Sequence, residues 1–211
     1  MSFTENLKEI LSNKTTIITL IGVLIMMVSF TRIKKVKLTS RLMAHIGLAL
    51  ALSTVLQFFK LFELPYGGSA TLGSMLPIIV ISLLYGPTVG VLTGFLYGLV
   101  NFVIGPAYIL HPIQVLFDYS LPFMAIGLAG VLKNNRILAV IFAFLCRFVF
   151  HFISGVVFFG DYAKEGMSPI LYSFLYNGGY LLADCLICVA IISVVKIDLI
   201  LKKTNGFNNA A

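Results

Sequence analysis

Apolar runs of membrane-spanning length, separated by short polar breaks, dominate this chain. The first covers 15–31, after a polar lead over 1–14 in which Lys8 and Lys14 balance Glu5 and Glu9. A basic stretch over 32–41 closes it, and a second apolar run covers 40–60. Pro65, Gly67 and Gly68 supply turn chemistry for a loop over 61–71, and Ser69 or Thr71 can cap the helix that follows. That helix, over 72–85, is short: at about 1.5 Å per residue it barely spans a bilayer. Gly86 and Pro87 turn the chain into 88–104, Gly105 and Pro106 break it before 112–132, and Lys133 to Arg136 precede 137–160. A polar loop and a last helix over 169–197 complete the pattern. The periodicity predicts an all-α integral membrane protein. Its length allows six or seven spans of about 20 residues.

Composition agrees with the pattern. The 211 residues are 59% hydrophobic and 11% charged, with a mean hydropathy of +1.02, against a charged fraction of about 25% in soluble domains. No stretch is left for a soluble enzyme domain. The net charge of +7 would suggest nucleic acid in a soluble protein, but five of the fifteen basic residues fall within 32–41, which is a topology signal. Placing 32–41 in the cytoplasm puts 133–136 and the C-terminus there too, and puts Glu63, Asp161 and Glu165 outside. A signal peptide is the rival reading of 15–31. No small-x-small cleavage site follows it and the stronger positive cluster lies after it, so a retained helix is expected. The expected organisation is an N-terminal helix and basic linker over 1–38, a membrane domain over 39–203 and a tail over 204–211.

Charge interrupts the apolar pattern most sharply within 137–160. Arg147, His151, Gly155 and Phe159 recur every four residues and form one slowly drifting stripe on a helix. An arginine in hydrocarbon costs at least about 2.5 kcal/mol, so Arg147 should face a partner inside the protein. Asp118 and Asp184 are the acids within apolar segments. Asp118 with Arg147 is the stronger pairing, and a purely structural ion pair is the alternative. The helices are expected to enclose a small polar pocket. His151 reads either as a satisfied core histidine or as part of that pocket. Tyr108, Tyr119, Phe159, Tyr172, Tyr176 and Tyr180 lie toward one end of their helices, as an interfacial belt or as a cage for a flat or cationic ligand. Asn177, beside Gly178 and Gly179, carries both donor and acceptor groups that suit a heterocycle edge.

Small residues mark packing faces. Gly47 with Ala51, and Ala49 with Ser53, are small-xxx-small pairs that admit another helix, either of a partner or of the same bundle. Gly86, Gly90, Gly94 and Gly98 repeat at the same spacing. Cys146, Cys185 and Cys188 all lie in apolar helices, where neither a disulfide framework nor a redox CxxC is expected. His151 and Ser154 share one helix without the GxSG of an intramembrane serine protease. No Walker motif is present, so ATP-driven transport would need another subunit. No cofactor or metal is expected.

The runs LPYGGSATLGSMLP and VLFDYSLPF, and RFVFHFISGVVFFGDY with LYSFLYNGGYLL, resemble the thiamine-specific substrate-binding subunits, or S-components, of energy-coupling factor (ECF) transporters. The likeness covers about residues 40–200. It implies a six-helix membrane core with an outward-facing pocket, here with one extra N-terminal transmembrane helix, in a bacterial cell membrane. It also implies a coupling subunit and two ATPases as partners, and thiamine as ligand. By the resemblance, Tyr108, Asp118, Tyr119, Arg147, His151, Gly155, Phe159, Tyr172 and Asn177 contact the ligand. This chain carries Asp118, Arg147 and Phe159 where the family's best-known pattern has glutamate, lysine and tryptophan. Thiamine joins an aminopyrimidine, which suits paired donors and acceptors, to a cationic thiazolium, which suits aromatic faces and an anion. Another vitamin, a thiamine precursor, a stand-alone secondary carrier and an intramembrane enzyme remain alternatives. The face from Gly47 to Ser53 is the candidate docking surface for the coupling subunit.

Overall fold

The computed structural model describes residues 36–105 and 108–195, with Ile21 and Ile25. The expectations for the run over 15–31 and for the C-terminal tail lie outside the described residues. Helix α1, Ser40–Gln57, starts where the Thr39 side chain accepts a hydrogen bond from the Leu42 amide at 3.2 Å. Its buried residues, Leu42, Ile46, Ala49 and Ser53, repeat at spacings of three and four and pack against the bundle. Met43, Gly47, Leu48 and Ala51 lie on the exposed side. The four small residues of α1 therefore do not share one face: Ala49 and Ser53 turn inward, and Gly47 and Ala51 outward.

The loop expected over 61–71 is a hairpin, so the chain is not purely helical. Strand β1, Lys60–Glu63, pairs antiparallel with β2, Ser69–Thr71. Between them Tyr66 takes φ 65° and Gly67 φ 96°, left-handed conformations that close the turn. The strands are too short to show an alternating pattern. Thr71 accepts from the Ser74 amide at 3.2 Å rather than capping the next helix. That helix, α2, is Leu76–Tyr85. Its 10 residues extend about 15 Å, roughly half the hydrocarbon thickness, and Ile78, Ile79, Ile81 and Leu83 bury it in the core.

Helix α3, Pro87–Ile104, lies backbone to backbone against the next span. A Cβ at Gly90, Gly94 or Gly98 would collide with the carbonyl oxygens of Gly127, Phe123 and Tyr119, one helical turn apart. Gly86 is not part of this face. It meets open space and serves the turn, with φ 87°.

The facing span, α4, departs from the single regular helix expected over 112–132. It comprises Pro112–Val115, a widened π-type turn over Leu116–Ser120, an α segment Leu121–Ile126 and a 3-10 segment Gly127–Leu132. Pro122 has no N–H to give the Asp118 carbonyl, and the Leu121 amide instead reaches back five residues to the Leu116 carbonyl. The turn that carries Asp118 and Tyr119 is thus irregular for a covalent reason.

Helix α5, Arg136–Phe158, is capped by Asn135, and α6, Pro169–Val194, by Ser168. Spans Pro87–Ile104, Ile113–Leu132, Arg136–Phe158 and Pro169–Val194 are each long and apolar enough to cross a membrane. The molecule is a mainly helical membrane protein. Its core runs through Ile79, Tyr97, Ile126, Val140, Leu181 and Ile192. Cys185 and Cys188 are free thiols buried in it.

The glycine contacts make a direct prediction. Gly94→Val should force α3 off α4 and cost about 2 kcal/mol or more, seen as a clear drop in the detergent-solubilised melting temperature. Gly47→Ala, where a Cβ meets nothing within 4 Å, should leave it unchanged or raise it.

Candidate binding site

The ends of α1 and α3, the hairpin, the widened turn of α4, and α5 and α6 converge on one cavity of about 110 Å³. Four-residue spacing builds two of its walls. On α5 it aligns Arg147, His151 and Gly155, with Phe159 just past the end of the helix, and on α6 it aligns Tyr172, Tyr176, Tyr180 and Asp184. A Cβ at Gly155 would run into Ser173 and Asn177. Gly155 therefore lets α6 approach α5 closely while it lines the cavity.

A line of polar contacts crosses the site. Asp184 Oδ1 accepts from the Thr71 amide at 3.1 Å and from Thr71 Oγ1 at 2.9 Å. Asp184 Oδ2 lies 3.7 Å from Arg147 Nη1, and the guanidinium sits over the Phe123 ring, 4.9 Å from its centroid. Arg147 Nε donates to His151 Nε2 at 3.4 Å. His151 Nδ1 stands 3.6 Å from Asp118 Oδ1. The other Asp118 oxygen accepts from Gln114 Nε2, which also donates to the Tyr108 carbonyl at 3.0 Å. The Tyr108 amide donates to Tyr119 Oη at 3.0 Å.

The expected pairing of Asp118 with Arg147 is corrected here. Arg147 pairs with Asp184, and the imidazole of His151 separates it from Asp118. Asp184 is also the more buried acid, 2% exposed. Both acids were visible as charges within apolar segments, but Thr71 and Asp184 lie 113 positions apart, and no local spacing joins them.

Tyr108, Asp118, Tyr119, Arg147, His151, Gly155, Phe159, Tyr172 and Asn177 all line the cavity. So do Gln57, Tyr66, Gly68 and Asp184, which the sequence reading left outside the ligand set, and Tyr176 and Tyr180, which it weighed as an aromatic belt or cage without placing them among the ligand contacts. The regular spacing of Tyr176, Tyr180 and Asp184 after Tyr172 was the available signal for three of them. Gln114 stands one turn before Asp118, where helical spacing again makes it a neighbour.

Asn177 has less to offer than expected. Its Nδ2 donates to the His151 carbonyl, the Ser173 carbonyl and Ser173 Oγ at 3.1 to 3.2 Å, so only acceptor capacity remains on Oδ1, which takes Tyr180 Oη at 3.3 Å.

The hairpin closes one side. Tyr66 packs on Tyr162 with ring centroids 4.4 Å apart and lies 6.3 Å from Tyr108. The Gly68 amide donates to Tyr176 Oη at 3.0 Å, and that hydroxyl donates to the Pro65 carbonyl. A Cβ at Gly68 would press within 2.9 Å of Tyr176 and Tyr180, so only glycine lets the hairpin seat this closely.

An aromatic-walled polar cavity held between membrane helices defines a multi-pass membrane protein of the solute-handling class. The chain belongs to the thiamine transporter protein family (Thia_YuaJ), whose family model matches residues 43–203. It is 36% identical over 149 residues to the thiamine transporter ThiT of Bacillus subtilis, covering 63% of this chain and 77% of that protein. It is 28% identical over 152 residues to ThiT of Lacticaseibacillus paracasei, covering 63% and 72%. A solved structure of ThiT from Listeria monocytogenes superposes with a TM-score of 0.66 at 28% identity, covering 78% of this chain and 95% of that one. The family is one of transporters, not enzymes.

Tyr176→Phe should release the hairpin by removing both bonds made by that hydroxyl, a loss of roughly 1 to 2 kcal/mol. Hydrogen exchange should then quicken over 60–71 and stay unchanged at the buried amides of α2. Equal protection of the hairpin in both proteins would show that the tyrosine hydroxyl does not hold it.

Proposed function

We propose that this chain is the thiamine-binding S-component of an ECF-type importer in a bacterial cell membrane. The observation that carries the reading is the convergence of Asp118, Arg147, His151, Phe159, Tyr172 and Asn177, from three helices, on one cavity. The thiazolium cation would rest among Tyr66, Tyr108, Phe159 and Tyr172, with Asp118 as its anion. The aminopyrimidine would offer its amino hydrogens to acceptors such as Asn177 Oδ1. Phe159 takes the place of a tryptophan and supplies a weaker cation-facing ring.

The pocket opens outward in this reading. Lys37, Arg41, Lys133 and Arg136 stand at the helix ends away from the pocket, as cytoplasmic ends require, whereas Glu63, Asp161 and Glu165 belong to the pocket end. In this reading the helices α1 to α6 are the six-helix core within 39–203. Uptake would be driven by a coupling subunit and two ATPases. The exposed pair Gly47 and Ala51 on α1 is the proposed contact for that coupling subunit, because small residues let helices approach closely.

Calorimetric titration of the purified protein with thiamine tests the reading, and absence of binding would overturn it. Asp118→Asn should keep the protein folded and weaken thiamine by roughly 2 to 3 kcal/mol, since it removes the anion facing a desolvated cation. Unchanged affinity would remove Asp118 from the ligand set. Ala51→Trp should leave thiamine binding intact and abolish uptake in cells that carry the partner subunits. Normal uptake would make the open face of α1 a lipid surface only.

A further inference from the structure

Asp184 is, among the described residues, the most deeply buried acid, and neither the sequence reading nor the proposed ligand contacts give it a task. Its two oxygens face different structures. Oδ1 takes both Thr71 donors at the base of β2, and Oδ2 faces the Arg147 guanidinium at 3.7 Å. Arg147 in turn donates Nε to His151 Nε2, so that nitrogen is an acceptor and the ring proton rests on Nδ1, toward Asp118. The imidazole is neutral in this arrangement.

Charge can then be counted around the cavity. Its ionisable lining groups, apart from tyrosines, are Lys60, Asp118, Arg147, His151 and Asp184. Lys60 is engaged by Glu63 at 2.7 Å on the exposed hairpin. Arg147 and Asp184 cancel. Asp118 is left as the uncompensated charge, a single negative one.

We infer that Asp184 is a specificity-determining positioning residue: it neutralises Arg147 and anchors it to β2, leaving Asp118 free to select a singly charged cation. The inference rests on the thiamine-binding reading above. Without the Asp184 charge, Arg147 would be the nearest counter-charge for Asp118, and the cavity would lose its net negative charge. A cation would then lose its advantage over a neutral molecule of the same shape.

The test compares thiamine with its uncharged isostere, in which a thiophene replaces the thiazolium, by calorimetry on the full chain in lipid nanodiscs. Asp184→Asn retains an acceptor for Thr71 but removes the charge, and should lower the thiamine-to-isostere affinity ratio by about tenfold or more. The double variant Asp184→Asn with Arg147→Gln buries no orphan charge and restores the single negative one. Its ratio should lie within about threefold of the native ratio, whatever common loss both ligands suffer. Thr71→Val, which loosens the hairpin and leaves the charges alone, should weaken both ligands alike.

An unchanged ratio in Asp184→Asn would overturn the inference while thiamine binding by the native protein upholds the reading beneath it. So would a collapsed ratio in the double variant, which also decides the matter if the single variant does not fold. A native protein that binds neither ligand would overturn both.

Discussion

A charged side chain held between membrane helices has no water to solvate it, so its partners must come from the protein itself. Arg147, 8% exposed on α5, sets that requirement for the whole pocket. Asp184 answers it from α6, His151 Nε2 accepts a hydrogen bond from its Nε, and the Phe123 ring lies under the guanidinium. Each partner carries a further obligation. Asp184 binds the hairpin through Thr71, and Asp118, beyond the imidazole, is held by Gln114, which also grips the Tyr108 carbonyl. The network thus joins the hairpin, α4, α5, α6 and the chain before α4. The cavity is thus also the place where the buried Arg147 meets its counter-charge.

Such a network needs a frame that does not move, and the glycine seam between α3 and α4 provides one. Backbones that touch at Gly90, Gly94 and Gly98 leave no side-chain layer through which one helix could slide past the other. The irregular turn over Leu116–Ser120 lies just beyond that seam, where Pro122 forbids a regular bond and Asp118 and Tyr119 enter the cavity. Gly155 does for α5 and α6 what the seam does for α3 and α4. It brings Asn177 close enough to cap the His151 carbonyl. Close packing and polar satisfaction are therefore one arrangement seen from two sides.

The membrane class, the approximate spans and the nine expected residues of the cavity lining were legible in the sequence, the spans and the α5 stripe because each leaves a local periodic trace. A run of apolar residues reports a span, and a four-residue recurrence of Arg147, His151, Gly155 and Phe159 reports one face of one helix. Asp118 stood out as a charge in an apolar run, and the resemblance to the S-component pattern then set it with Tyr108, Tyr119, Tyr172 and Asn177 among the expected ligand contacts. The same spacing on α6 also carried Tyr176, Tyr180 and Asp184, a stripe as regular as the one on α5.

Pairings between distant segments leave no such trace. Whether Arg147 turns to Asp118 or to Asp184 depends on how α4, α5 and α6 lie against one another, and that is a matter of contacts between residues far apart in the chain. The hairpin was hidden because two short strands with a Pro-Tyr-Gly-Gly turn have too few positions to alternate, and their pairing is held from α6 by Tyr176 and Asp184. The small residues of α1 divided between two faces because a helix turns about 100° per residue, so neighbouring small pairs cannot share a side. By itself the sequence determined the solvent in which this chain folds, the course of its helices and the chemistry available to the pocket, since all three are sums over local residues. Which charge meets which, and what each glycine makes room for, only the tertiary structure decided, because those are relations between segments that local periodicity does not encode.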